Sequence, residues 1–198
     1  MTEVHSTMKV TGSTVTIALT VESALSRHDI WPALVRPDQL RNWLGHVTPP
    51  LDRVGAEYTL AYLNGSDHRA VGTVIAATEP NTLEYTWRFN GGPETRVRFN
   101  LTPRDDGGTT FRFVHEGVPI PDAAADAATW HAQFDFLSRW LNDRISLGAH
   151  LRERREELLP QYERELALAV NPGIPPREET GTGPIDLIKR TLRSTAWA

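Results

Sequence analysis

One histidine in the sequence is placed where it could take part in acid–base chemistry. His115 alternates with Phe111 and Phe113 in a strand-like run, so its side chain is predicted to point into the protein. An inward histidine can act as a general base near neutral pH. The commoner role is that of a core histidine whose ring nitrogens are satisfied by hydrogen bonds, and both roles stay open here.

The candidate partners of His115 are Tyr85 and two polar residues of the helix that follows, His131 and Asp135. A His–Asp pair can be catalytic, but the sequence contains no Gly-x-Ser-x-Gly nucleophile motif. There is no cysteine, which excludes disulfides and thiolate nucleophiles. The seven histidines lack the close spacing of metal ligands, so we expect neither a metal nor a cofactor.

Aromatic residues form the second candidate set, because they share the inward-facing positions of their strands and helices. Buried Tyr hydroxyls and Trp N–H groups need hydrogen-bond partners, which are either groups of the protein or groups of a bound ligand. Plain core packing and pocket lining both explain this set. The predicted ligand-binding residues are Trp43, Tyr58, Tyr62, Tyr85, Trp87, Phe99, Phe113, His115, Trp130 and Phe134.

These residues are predicted to lie on an antiparallel sheet of six strands. The first strand shows strict alternation, with Val15, Ile17 and Leu19 separated by Thr16 and Ala18. Five further runs follow one another from residue 58 to residue 116 with turn residues between them. Consecutive strands joined by short turns indicate an antiparallel meander with one buried face.

Two short helices are predicted between the first strand and the meander. Ser26 is suited to cap a helix over residues 27–34, and Pro37 is suited to the first turn of a second helix over residues 37–44, which Gly45 ends. One residue, Pro32, falls inside the first helix.

A long amphipathic helix is predicted to begin near Asp126, whose charge suits the positive end of the helix dipole. Offsets of three and four residues place its apolar residues on one stripe. That stripe consists of Trp130, Phe134, Leu137, Leu141 and Ile145. Such a helix needs an apolar surface, and the sheet supplies one. The fold class is therefore α+β, of the helix-grip type, with a gap between sheet and helix.

Several ordered motifs resemble the activator of heat-shock-protein ATPase homologue family. They are the segment from Trp31 to Gly45 with two Trp residues and Pro-Asp-Gln-Leu between them, Val54-Gly55-Ala56-Glu57-Tyr58, Leu83-Glu84-Tyr85-Thr86-Trp87, Gly108-Thr109-Thr110, His115-Glu116-Gly117, and Trp130 with the Leu spacing after it. Ala56 stands where the family pattern has a second Gly. The resemblance covers about residues 15–145, and the motifs occur in the same order as in the family pattern.

The resemblance implies membership of the START-like, Bet v 1-like superfamily. Such folds hold a cavity between sheet and helix, and they include lipid carriers, hormone receptors, aromatase/cyclases and ring-hydroxylase subunits. The same fold therefore serves several functions, and function has to be argued from the site.

Composition narrows the classes of partner. The net charge of −4 argues against a mainly electrostatic nucleic-acid binder. No run of about 18 apolar residues is present to span a membrane, and the N-terminus lacks a signal-peptide core. We therefore predict a cytoplasmic protein that binds a hydrophobic small molecule.

Four segments are predicted: a flexible N-terminus over residues 1–12, a START-like domain over residues 13–148, a charged helical extension over residues 149–170, and a linker with a short amphipathic helix over residues 171–198. Ile185, Ile188, Leu192 and Trp197 give that last helix its apolar face. We expect the extension to dock on its own domain or to form a homodimer, with a protein partner or a membrane surface as the alternative.

Three functions are compatible with the sequence. The favoured one is a non-enzymatic binding protein that holds an apolar, aromatic or lipid-like ligand between the sheet and the long helix. The second is a cyclase- or aromatase-like enzyme with His115 as base and Tyr85 or Arg88 steering an enolate. The third is a chaperone-linked or regulatory interaction protein that uses the charged extension.

Overall fold

The structure is a computed structural model that describes residues 4–62, 67–142 and 149–172. Its largest element is an antiparallel sheet of eight strands in the order β1-β2-β8-β7-β6-β5-β4-β3. The strands are β1 (His5–Thr11), β2 (Thr14–Ser23), β3 (His46–Thr48), β4 (Glu57–Ala61), β5 (Arg69–Thr78), β6 (Thr82–Phe89), β7 (Glu94–Pro103) and β8 (Thr109–Pro119). The α+β class with a large antiparallel sheet is thus as predicted, whereas the number of six strands is wrong.

Both unpredicted strands lie at the edges of the sheet. β1 forms a hairpin with β2 through a two-residue turn, in which Gly12 adopts a φ of 60°. β3 pairs with β4 over three residues. The segment before Lys9 was expected to fray because its side chains are polar, but an edge strand is held by backbone hydrogen bonds and tolerates polar side chains.

Two helices connect β2 to β3 and lie where the sequence predicts them. α1 (Arg27–Val35) has Ser26 as its N-cap, and the Ser26 side chain accepts a hydrogen bond from the Asp29 backbone N–H. α2 (Pro37–Leu40) begins at the predicted proline but is only one turn long. Residues 41–44 continue as turns instead of the predicted helix to Leu44.

The long helix α3 (Ile120–Leu141) begins six residues earlier than predicted. It contacts β2 and β8, and its stripe residues Trp130, Phe134 and Leu137 are buried against the sheet. Leu141 is half-buried, and the predicted stripe residue Ile145 lies outside the described residues. Because the first turns belong to the helix, Asp126 lies in its second turn and not at its positive end.

The charged extension forms helix α4 (Ala149–Val170), which packs against α3 and β1. Its buried residues are Leu158 and Tyr162. The Tyr162 hydroxyl lies 2.8 Å from His131 Nδ1, and Arg154 Nε donates to Asp135 Oδ2 over 2.7 Å. His131 and Asp135 therefore face α4 and serve its docking.

The linker and the last predicted helix, with Ile185, Ile188, Leu192 and Trp197 on its apolar face, lie beyond the residues that the structure describes. Within the described ranges, no helix is both long and apolar enough to cross a membrane.

Candidate functional site

His115 points inward, as predicted, and is almost completely buried with 1% of its surface exposed. Its Nε2 lies 2.8 Å from Thr95 Oγ1, and its Nδ1 accepts a hydrogen bond from Trp130 Nε1 over 3.2 Å. The Thr95 hydroxyl donates its own proton to the Trp87 carbonyl oxygen over 2.8 Å. Thr95 can therefore only accept from the imidazole, which assigns the proton to Nε2.

Burial lowers the pKa of His115 to about 3. The ring is thus neutral at physiological pH, and its basic nitrogen Nδ1 is occupied by the indole of Trp130. Its hydrogen-bond partners are Thr95 and Trp130, and not the predicted Tyr85, His131 or Asp135. This arrangement fits a structural histidine better than a general base.

The hydrogen bond between His115 and Thr95 can be tested by replacing Thr95 with valine, which has nearly the same shape. The change leaves His115 Nε2–H without its acceptor and removes the hydroxyl that donates to the Trp87 carbonyl, so we expect a loss of about 2 kcal/mol in the free energy of unfolding. Thr109→Val is the matched control, because this buried hydroxyl donates a single bond to the Leu25 carbonyl. The control should lose about 1 kcal/mol.

Urea unfolding measures both variants, and the 15N shifts of the imidazole report the tautomer of His115. An unchanged ring spectrum in Thr95→Val, together with a loss no larger than that of Thr109→Val, would contradict the assigned bond.

Beside His115, a narrow cleft opens between α3, the middle of β6 and the turn after α2. It is lined by Leu44, Tyr62, Trp87, Asp126, Thr129, Trp130 and Gln133. The cleft has a volume of about 10 Å³, which is about the space of one water molecule. Four of its residues come from α3 at positions 126, 129, 130 and 133, which share one face of a helix.

The polar residues that α3 contributes to the cleft each present oxygen atoms that can accept hydrogen bonds. Gln133 is 2% exposed, and its Oε1 has no hydrogen-bond partner within the described part of the chain. The Thr129 hydroxyl donates to the Ala125 carbonyl over 2.7 Å, so its oxygen atom can still accept a hydrogen bond from another group. The Asp126 side chain keeps 24% of its surface exposed. A buried acceptor without a partner is costly and calls for an explanation.

The carboxyl group of Asp126 lies near His115, with 3.8 Å between its Oδ2 and the imidazole Nδ1. Burial, and then repulsion by Asp122 one turn earlier, raise the pKa of Asp126 to about 7, while the positive charge of Arg155 acts in the opposite direction. Asp126 is therefore a carboxyl group that changes charge near neutral pH. Such a group beside a cleft is typical of functional sites.

Three of the ten predicted ligand-binding residues, Tyr62, Trp87 and Trp130, line this cleft. The others fill the interior between sheet and helix; they are Trp43, Tyr58, Tyr85, Phe99, Phe113, His115 and Phe134. Their rings contact one another, as in Phe99 and Phe113 with centroids 5.3 Å apart. In this conformation the predicted interior cavity is closed by the protein's own aromatic side chains.

The polar tips of this interior set bond to the protein. Trp43 Nε1 donates to the Ala33 carbonyl, and the Tyr58 hydroxyl donates to the Thr86 carbonyl, each over 2.8 Å. Arg88, the predicted alternative for steering an enolate, is exposed and pairs with Glu94 at 3.4 Å. Among the described residues, no group of three potential metal ligands is found.

Sequence reasoning missed Asp126, Thr129 and Gln133. The signal was present in the spacing, since Asp126 and Gln133 lie four residues before and three residues after Trp130 on the apolar stripe. Polar residues on such a stripe are the unusual feature that should have been noted.

Comparison with known proteins identifies the family. Residues 24–142 match the family model described as activator of Hsp90 ATPase homolog 1-like protein. The chain belongs to this family. Among proteins with curated descriptions, no significant match to this family member was found.

Solved structures show that this family member has the START-like, Bet v 1-like fold. The crystal structure of CalU16 from Micromonospora echinospora aligns with a TM-score of 0.65 and 17% identity over 83% of this chain and 98% of CalU16. MLL2253 from Mesorhizobium loti aligns with a TM-score of 0.57 and 25% identity over 67% of this chain and 99% of MLL2253. DynU16, described as a putative protein in the dynemicin biosynthetic locus, aligns with a TM-score of 0.59 and 25% identity over 64% of this chain and 47% of DynU16.

Proposed function

We propose that this protein binds a small organic molecule in the cleft between α3 and β6, without chemical conversion. The observation that carries the proposal is the buried Gln133 Oε1 that lacks a hydrogen-bond partner in the described chain and lines the cleft. A polar atom that is left unpaired beside a cleft is explained if a ligand supplies the missing hydrogen bond.

Aromatic walls support the same proposal. The rings of Trp87 and Trp130 have centroids 5.4 Å apart with 58° between their planes, and Tyr62 completes the lining. Aromatic walls with a few converging polar groups are typical of small-molecule sites. A flat or aromatic ligand would stack on these rings.

Binding requires the cleft to widen, because its volume of about 10 Å³ is far below the several hundred Å³ of typical ligand sites. Leu44 lies in the turn after α2, outside any helix or strand. We expect the ligand to enter by displacing this turn, so that the closed form is the resting state.

A catalytic role for His115 receives less support, since both of its ring nitrogens are engaged and its pKa lies far below neutral. No contact in the described residues favours a chaperone-linked role over ligand binding.

The proposal can be tested with the neutral fluorescent dye N-phenyl-1-naphthylamine and the variant Leu44→Trp, which puts a larger side chain at a buried position of the cleft lining. We expect the wild type to enhance dye fluorescence and the variant to bind at least about tenfold more weakly, a difference of 1.4 kcal/mol. Val54→Trp adds the same side chain at a position that is 60% exposed and outside the cleft lining, and it should bind like the wild type.

Native mass spectrometry of freshly purified protein is the companion measurement, since a retained organic mass would identify the ligand class. A protein that carries no organic molecule and enhances no dye fluorescence, or that binds equally well with Leu44→Trp, would refute binding in this cleft.

A further inference from the structure

The polar lining of the cleft has a definite hydrogen-bonding character. Gln133 presents its Oε1, Thr129 presents the lone pairs of an oxygen whose proton is already donated, and Asp126 presents a carboxyl group. All three groups can accept hydrogen bonds, and they stand on one face of α3. A ligand that completes the hydrogen bonding of these oxygen atoms must therefore bring donors.

We infer that the ligand of this cleft is an organic cation, in which a protonated amine is attached to an aromatic or apolar body. This inference rests on the proposed function and names the class of molecule bound. An ammonium group has up to three N–H donors and no acceptor, so it complements a set of three acceptors. A carboxylate or phosphate ligand would instead face acceptors and a negative charge.

The aromatic walls fit the same ligand class. Trp87, Trp130 and Tyr62 line the cleft together with the acceptors. The faces of such rings attract cations, most strongly in the case of tryptophan, by about 0.5–2 kcal/mol according to desolvation. The same rings stack on a flat apolar body, so both halves of the ligand have a partner.

The charges around Asp126 decide how the site responds to pH. Asp122 adds negative charge, Arg155 on α4 adds positive charge, and His115 is neutral. The Tyr62 hydroxyl is also neutral, since burial raises its pKa well above the usual value. A bound ammonium favours the charged carboxylate, so it should lower the pKa of Asp126 and release a proton near pH 7.

The test compares three probes of similar shape: phenethylammonium, 2-phenylethanol and phenylacetate. Titrations are followed by the indole N–H signals of 15N-labelled protein. We expect phenethylammonium to bind at least tenfold more tightly than 2-phenylethanol, and phenylacetate to bind most weakly. Affinity for phenethylammonium should fall below pH 6, where Asp126 with its pKa of about 7 is mostly protonated.

Two variants locate the effect. Asp126→Asn keeps the shape of the side chain and removes its charge, so it should lose at least tenfold in affinity for phenethylammonium and little for 2-phenylethanol. Asp105→Asn makes the same change at an exposed residue outside the cleft lining, and should change either affinity less than threefold.

Equal binding of the ammonium and the alcohol, tighter binding of phenylacetate, or full ammonium affinity in Asp126→Asn would overturn the cation assignment. The proposed function would survive each of these results as long as N-phenyl-1-naphthylamine binds to the wild type and not to Leu44→Trp. If neither the three probes nor the dye bind, both the assigned ligand class and the proposed binding function are refuted.

Discussion

Replacing Gly72 with alanine is expected to destabilise the protein by about 4 kcal/mol, because the added methyl group would collide with fixed backbone. A Cβ at this position would lie 1.8 Å from the Thr86 carbonyl oxygen and 2.9 Å from Cε1 of Tyr58. Gly72 pairs with Tyr58 across β4 and β5, two residues before the register shift between Val74 and Ala76 in the pairing of β5 with β6. Neither neighbour can move away without breaking the hydrogen bond from the Tyr58 hydroxyl to Thr86.

Urea unfolding of Gly72→Ala and of Val71→Ala measures this effect. Val71 is the neighbouring residue and is 42% exposed, so its truncation should change the free energy of unfolding by less than about 0.5 kcal/mol. A loss below about 1 kcal/mol for Gly72→Ala would show that β5 can shift away from β6 at little cost. Because β6 carries Trp87, any folded fraction of Gly72→Ala should also show a shifted Trp87 indole signal.

The middle of the sheet was predictable because its alternation is strict. Leu83, Tyr85 and Trp87 were placed on the inward face from sequence alone, and all three are buried. Alternation of this kind arises because one face of a strand is buried and the other is exposed. It therefore does not reveal a strand in which neither face is deeply buried. β1 is such a case, and its only sequence signal was the Gly12-Ser13 pair between two short runs.

The acidic residue of the cleft was misinterpreted because the start of α3 was placed six residues too late. With a helix beginning near Asp126, the carboxylate has an obvious role at the positive end of the dipole. With the helix beginning at Ile120, the same residue lies on the inward face beside Trp130 and needs another explanation. Pro121 in the first turn was the available signal for the earlier start.

The inward direction of His115 was predictable from its alternation with Phe113, but its partners were not. Thr95 is on the neighbouring strand β7, and Trp130 comes from α3. Register and helix docking bring these groups together, and neither can be derived from local pattern. For the same reason, alternation cannot distinguish aromatic residues that fill a core from those that line a cleft.

Asp126→Asn is expected to stabilise the protein at pH 8 and to leave its stability unchanged at pH 4. The pKa of Asp126 is raised from 3.8 to about 7, so the folded state holds a proton that the unfolded state releases between these values. Stability therefore falls as pH rises from about 4 to 7, and the loss is complete above that range. Since 24% of the side chain is exposed, we expect asparagine to recover about 2 kcal/mol at pH 8.

His115 has the opposite dependence. Its pKa is lowered from 6.5 to about 3, so the unfolded state binds the additional proton, and stability is lost as pH falls below 6.5. In the wild type the two slopes oppose each other between pH 4 and 6.5. Removing Asp126 should therefore expose an acid sensitivity from His115 of about 3 kcal/mol between pH 6.5 and 4.

Urea unfolding at half-unit pH steps from 4 to 8 separates these contributions, with Asp105→Asn as the control at an exposed carboxyl group. Parallel stability curves for Asp126→Asn and the wild type would contradict the raised pKa of Asp126. The expected gain at pH 8 also bears on function, because an acidic residue that lowers the stability of the fold is explained when the residue is needed for binding. Together with the predicted loss of phenethylammonium affinity in Asp126→Asn, higher stability would indicate that this carboxyl group is retained for binding.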